Sequence, residues 1–240
     1  MATLVLVHGG WHGGWCWAKV LPRLRQAGHD VFTPTLTGLG ERSHLLAPSI
    51  DLTCHIQDIV NVLIYEDLNH VILVGHSYGG MVIRGVADQC ANRIAHMVNL
   101  DAFVPQNGQS CLDQLAATSD VREATETMTA TDEWFLAPGS PDDFGVTDPD
   151  DVRWMEERLS AQSIKTTTEP LWLHNPEADL LPRTFISCTV DQEAKMPSGA
   201  LTAARIRKEA GWHYHELETG HDAMITAPDK LVNLLLQLVS

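Results

Sequence analysis

"VILVGHSYGG", residues 71–80, sets four consecutive apolar residues ahead of a serine that has glycine two positions to either side. An ordinary turn needs neither glycine. A strand that runs into a tight, strained turn and straight out into a helix needs both, because side chains two residues before and after the serine would collide there. Such a turn lifts the hydroxyl into a cleft, and the helix behind it offers its N-terminus to developing negative charge. Gly75-His76-Ser77-Tyr78-Gly79 meets that demand, with apolar Val71–Val74 before it and helical periodicity over Met81–Ala87 behind it. Ser77 is therefore the candidate nucleophile.

The same alternation extends outward from this stretch. Short β-rich runs fall at Thr3–Val7, 29–36 (stopped by Pro34), Ala95–Leu100, Arg183–Thr189 and Trp212–Leu217. Helical spacing occupies Trp17–Ala27, Leu52–Tyr65 (Ile56, Ile59, Val60, Leu63, Ile64) and 228–239. Strands alternating with helices predict an α/β fold, a mostly parallel sheet flanked by helices, with ligands at the carboxyl ends of the strands. The pattern breaks between Pro105 and Pro182, where Gly, Pro and acid clusters such as "APGSPDDFGVTDPDD" appear with Trp134, Trp154 and Trp172. Residues 105–182 read as an inserted helical cap on a core of 1–104 and 183–240, and acid-rich 142–151 reads as a solvated loop.

Bulk composition narrows the function. A chain of 240 residues, 44% hydrophobic, can bury one full core. Its net charge of −15 argues against nucleic acid and anionic membrane surfaces as partners. The five cysteines are scattered, without C-x-x-C or zinc-ribbon spacing, so neither a disulfide framework nor a structural metal is expected. "MATLVLVHGG" has no basic leader or cleavage pattern, and its apolar run falls far short of a membrane span. The expectation is a soluble, cytoplasmic protein.

A serine hydroxyl needs a base, usually histidine held by an acid. Among the twelve histidines, His221 in "ETGHDAM" follows the last strand and stands in the order Ser…acid…His. His213 and His215 lie on that strand, and His76 lies inside the turn itself. His8 and His12 have a metal-like spacing but flank glycines and lack a nearby third ligand. Asp191 and Glu193 follow one strand and Asp101 follows its neighbour; any of the three could reach His221. The glycine-rich "VHGGWHGGW" (7–15) can bring the Gly10 N–H beside the Tyr78 N–H as an oxyanion hole. No phosphate-binding glycine signature is complete, so no cofactor is expected.

Together "HGGWHGGW", "PTLTGLGERSHL", "GHSYGGMV", "LDAFVP" and "TGHDAMITAP" resemble bacterial members of the α/β-hydrolase superfamily. The branch they resemble also holds plant methylesterases, hydroxynitrile lyases and pyrethroid-type carboxylesterases. The resemblance implies Ser77 as nucleophile, His221 as base, and Gly10 and Tyr78 as the oxyanion hole. It places the acid in "TVDQEAKMP": counting back from His221 gives Glu193, counting from the strand gives Asp191, and the disagreement keeps Asp101 open. Glu193 is taken first. The lyases of this branch need a lysine directly after the histidine and a threonine in the first glycine turn, where Asp222 and Gly9 stand here.

The expected function is a serine carboxylesterase acting on small hydrophobic or aromatic esters, without cofactor or metal. Trp134, Phe135, Trp154 and Trp172 of the cap and Trp11 of the glycine turn are expected to line its pocket. Apolar surface on the cap could support a homodimer, though no motif demands one. The rival readings are a ligand-binding, receptor-like protein on the same scaffold and a cofactor-free C–C hydrolase or hydroxynitrile lyase relative.

Overall fold

The computed structural model describes residues 1–115, 133–191 and 196–238. Among them are eight strands: β1 (Thr3–Val7), β2 (Asp30–Phe32), β3 (Val71–His76), β4 (Ile94–Leu100), β5 (Phe135–Leu136), β6 (Gln162–Ser163), β7 (Arg183–Cys188) and β8 (Trp212–Leu217). Six form one sheet in the order β2-β1-β3-β4-β7-β8, every neighbouring pair parallel. β3 is buried along its whole length, as expected of a central strand covered on both faces.

Period-two alternation divides the core. Val5, Val7, Val71, Leu73 and Met97 face one way, under helices α2 (Leu52–Tyr65) and α3 (Gly79–Cys90). Leu4, Leu6, Ile72, Val74, Val98 and Leu100 face the other, under α1 (Leu21–Gln26), Trp17 and the C-terminal helix Pro228–Leu238. Asp51 starts α2 by accepting the Cys54 N–H at 2.8 Å. Ile56, Ile59, Val60 and Leu63 bury the inner stripe of that helix, but Ile64 is exposed, one position past the stripe.

Register brings the site together. His76 pairs with Leu100, and Leu100 pairs with Ile186. Ser77 and Asp101 therefore leave the sheet from adjacent positions at its carboxyl edge. On the other side Val7 pairs with Gly75, so the glycine-rich loop after β1 emerges beside the serine turn.

Between β4 and β7 the chain leaves the sheet. This segment carries the antiparallel pair β5–β6 and the helices α4 (Cys111–Leu115), α5 (Pro149–Glu156) and α6 (Lys165–Thr168). The stretch 142–151 is not the plain solvated loop expected from its charge. Asp143 accepts the Ser140 N–H, and Asp148 accepts the N–H groups of Asp150 and Asp151 at the start of α5. Its carboxylates cap helical turns, while Phe144 and Val146 between them are buried. No helix among the described residues is long and apolar enough to cross a membrane.

Candidate active site

The turn after β3 holds Ser77 at φ +52°, a left-handed conformation that costs a non-glycine residue about 1–3 kcal/mol. The strain is held by the backbone around it. Ser77 donates its N–H to Leu100 C=O at 3.2 Å, and its own carbonyl accepts from Gly80 and Phe103. The two glycines are required by space: a Cβ on Gly75 would lie 2.6 Å from the Gly79 carbonyl oxygen, and one on Gly79 would lie 2.8 Å from that of Val7. The expectation drawn from the G-x-S-x-G spacing is met at both positions.

His221 follows β8 and is buried. Its Nδ1 lies 2.7 Å from Asp101 Oδ2. A carboxylate only accepts, so Nδ1 carries the ring proton and Nε2 is left with its lone pair. That Nε2 is buried and has no hydrogen-bond partner. Asp101, itself buried and at φ +44°, is fixed at both ends: its N–H donates to Ile186 C=O, and its Oδ1 accepts the Cys188 N–H at 3.1 Å. Of the three candidate carboxylates, Asp101 meets His221. Asp191 is exposed at the rim of the small recess that His221 and Asp101 share, and Glu193 lies outside the described residues. The His221 carbonyl is pinned by the Nε2–H of His76 at 3.1 Å, and the two rings lie 4.6 Å apart between centroids.

The glycine-rich loop is held by its histidines. His8 Nε2 accepts the Leu36 N–H, so its proton is on Nδ1, which donates to Gly9 C=O at 2.8 Å. Burial pulls His8 down to about 3, which keeps it neutral. In a trans peptide, C=O and N–H point in opposite directions, so fixing the Gly9 carbonyl also aims the Gly10 N–H. Gly10, Ser77 and Tyr78 line the same cavity. The Tyr78 phenol donates to His55 Nδ1 at 3.0 Å, while His55 Nε2–H donates to Thr37 C=O at 2.9 Å. Burial holds His55 below the ordinary range, consistent with that neutral tautomer. His8 and His12 are thus engaged with loop carbonyls rather than paired around a shared point. The one grouping with metal-ligand spacing among the described residues is His76, His221 and Asp222, all buried.

The cavity at Ser77 has a volume of about 400 Å³ and is walled by Trp11, Phe103, Leu115, Leu136, Phe144 and Ile164 among others. A second cleft of about 440 Å³, beside Arg84, Arg183 and Arg205, contains none of the candidate catalytic groups. Of the five aromatic residues expected in the pocket, Trp11 lines it and the other four do not. Trp154 packs edge-on against Trp15 at 5.0 Å, Trp172 is 61% exposed, and Trp134 meets the 38%-exposed Phe135 edge to face at 5.4 Å. Phe103, Phe144 and Ile164 sit in short turns without periodicity, so no pattern in the sequence marks them as pocket residues. Cys111 also lines the cavity, but burial pushes its thiol up to about 12, so it does not compete as a nucleophile.

The carbendazim hydrolyzing esterase of Nocardioides sp. (strain SG-4G) is 37% identical, over 99% of this chain and all of the relative. Salicylic acid-binding protein 2 of Nicotiana tabacum is 28% identical, over 98% of this chain and 95% of its own. Among solved structures, an extracellular alpha/beta-hydrolase from a Paenibacillus species superposes with a TM-score of 0.82 at 24% identity, covering 99% and 98% of the two chains. The sequence profile described as "Alpha/beta hydrolase family" spans residues 4–234 and so takes in the whole sheet, the serine turn and the histidine loop. A parallel sheet with a strained serine at the end of β3 and a match of that extent have one reading: the chain belongs to the alpha/beta hydrolase family.

Proposed function

We propose that this carboxylic ester hydrolase works through Ser77, with His221 as its base, Asp101 as the acid, and the Gly10 and Tyr78 N–H groups as the oxyanion hole. The observation that carries this reading is the 2.7 Å contact between Asp101 and His221 Nδ1, one residue beyond the strand position paired with the end of β3. That contact fixes the tautomer in which Nε2 can take a proton. Ser77 Oγ attacks the ester carbonyl as His221 Nε2 takes its proton. The two N–H groups hold the tetrahedral oxyanion. Collapse expels the alcohol, which receives the proton from His221, and leaves an acyl-serine. Water then repeats the sequence, releasing the acid and restoring Ser77.

The walls of the cavity support a substrate class. A cavity of about 400 Å³ with aromatic and aliphatic sides suits a small hydrophobic or aromatic ester. The segment 105–182 acts as the cap, contributing Cys111, Leu136, Phe144 and Ile164 to that cavity. A full-length relative named for hydrolysis of carbendazim supports an aromatic acyl or carbamoyl group. A lyase reading is not favoured, since Asp222 is wholly buried against His12 where a lysine would be required.

The test is turnover of a short-chain p-nitrophenyl ester, followed by intact-mass analysis after a serine-directed phosphonylating reagent. One adduct on Ser77 is expected, with turnover reduced at least about 10³-fold in Ser77→Ala. Stoichiometric labelling without turnover would favour a ligand-binding role. An adduct elsewhere, or undiminished turnover in the variant, would overturn the assignment.

A further inference from the structure

Next to the proposed catalytic histidine lies a second, wholly buried acid–imidazole pair that the reaction does not consume. His12 Nε2 is 2.9 Å from Asp222 Oδ2, and neither residue exceeds 1% exposure. His12 Nδ1 lies 2.6 Å from the Gly10 carbonyl oxygen, which can only accept, so Nδ1 carries a proton. An ionised Asp222 then requires a proton on Nε2 as well. The next peptide is held at its other end too, because the Trp11 N–H donates to Gln162 Oε1 at 2.9 Å and Gln162 Nε2 donates to Thr166. With His8 on the preceding carbonyl, two successive peptides of the glycine loop are fixed.

We propose that His12 and Asp222 are positioning residues: an imidazolium–carboxylate pair that ties the oxyanion loop to the His221 loop and keeps Asp222 electrically neutralised, so that the hole is set only while His12 is cationic. The inference rests on the assignment of Gly10 to the oxyanion hole. Its physical basis is twofold. Loss of either His12 proton releases the Gly10 carbonyl or the Asp222 carboxylate. An unpaired Asp222, next in sequence to His221, would also oppose the negative charge of the tetrahedral intermediate.

The surroundings agree. Burial opposes charge on His12, but the charge and hydrogen bond of Asp222 outweigh it and raise His12 above its ordinary range. Burial likewise opposes charge on Asp222, and His12 outweighs it and holds the carboxyl low. The other titratable groups facing the pair are His8 on the same loop, His76 from the serine turn, His221, Cys16 and Cys188. His8 and His76 are kept neutral by burial, and so are both thiols. Trp15 stacks on the His12 ring at 5.3 Å, and Phe144 meets its edge at the same distance.

The experiment uses the intact protein with the p-nitrophenyl ester over a range of pH. In the wild type, nitrogen-detected imidazole NMR should show both His12 nitrogens protonated at neutral pH. Their loss of a proton at alkaline pH should coincide with a fall in kcat. Asp222→Asn should lower kcat about 10–100-fold with KM changed less than about 3-fold, since removing a whole oxyanion donor costs about 10²–10³. It should also move the alkaline fall to lower pH, while Asp222→Glu restores part of both. A purely structural pair would lower Tm without moving the alkaline limb. Singly protonated His12 at neutral pH, or an unmoved limb in Asp222→Asn, overturns the proposal. If that variant does not fold, the coincidence of the two wild-type titrations decides. Absent turnover and absent phosphonylation in the wild type would count instead against Ser77.

Discussion

Asp101 is held where few residues rest comfortably, at φ +44°, with a carboxylate that faces His221 Nδ1 and the Cys188 N–H at once. Trp11 at +62° and Ser77 at +52° share that left-handed backbone, and both of them line the cavity. Strain of this kind survives only where neighbouring structure over-determines it. Substituting Asp101 by Asn places an amide N–H where Nδ1–H now donates, which forces the imidazole toward the wrong tautomer. Asp101→Asn should therefore lower kcat by about 10⁴-fold with little change in KM. Glu193→Gln should leave both constants near wild type, because the Nδ1 position is already filled. Steady-state kinetics of the two purified variants separates the carboxylates, and the reverse ranking would return the acid to the loop after β7.

The strand–turn–helix of 71–90 shows what a sequence discloses about an element. Its apolar run, its two glycines and the helix behind them were all legible, because each answers a local demand of backbone space. Leu52–Tyr65 was legible for the same reason, down to its bounds. The carboxylate that meets His221 was legible only as one of three, behind Glu193 and beside Asp191. The register that sets Leu100 opposite His76 is what brings Asp101 beside the serine turn, and register is a property of paired strands rather than of one. The pocket aromatics failed likewise: a tryptophan in an irregular segment carries no period to say which way it faces, and four of the five expected aromatics face elsewhere. Helix α2 offers a direct check on what periodicity did fix. Ile59 is fully buried and Ile64 is 46% exposed, although both fit an apolar stripe in the sequence. Ile59→Ala should cost about 2–5 kcal/mol in urea unfolding, and Ile64→Ala less than about 1 kcal/mol. Equal losses would mean that the helix sits rotated from the orientation described.

Across the whole molecule, the histidines make opposite demands on pH. His8, His55 and His76 are buried and neutral, each held below the ordinary value of 6.5 by burial, with the His221 ring adding to the effect on His76. The unfolded chain takes up these three protons as pH falls through about 6.5, while the native state refuses them. Stability is therefore lost toward acid, by up to about 4 kcal/mol per pH unit if all three act together. His12 works the other way. Its raised value means that its contribution is complete below the unfolded value and is lost as pH rises toward the folded one. Asp222, held low, withdraws its contribution only at pH below the carboxylate range. The balance is a stability maximum near neutral pH with the steeper side on the acid flank, where these three groups act together, while His12 acts on the alkaline side. Urea midpoints measured from about pH 5 to about pH 8 should trace that asymmetric dome, within the range where histidine changes charge. His8→Gln should flatten the acid flank, since the drop to about 3 that burial imposes disappears with the ring. A midpoint that rises continuously toward acid would mean that these buried rings are protonated in the native state, and the tautomers assigned to His8 and His55 would fall with them.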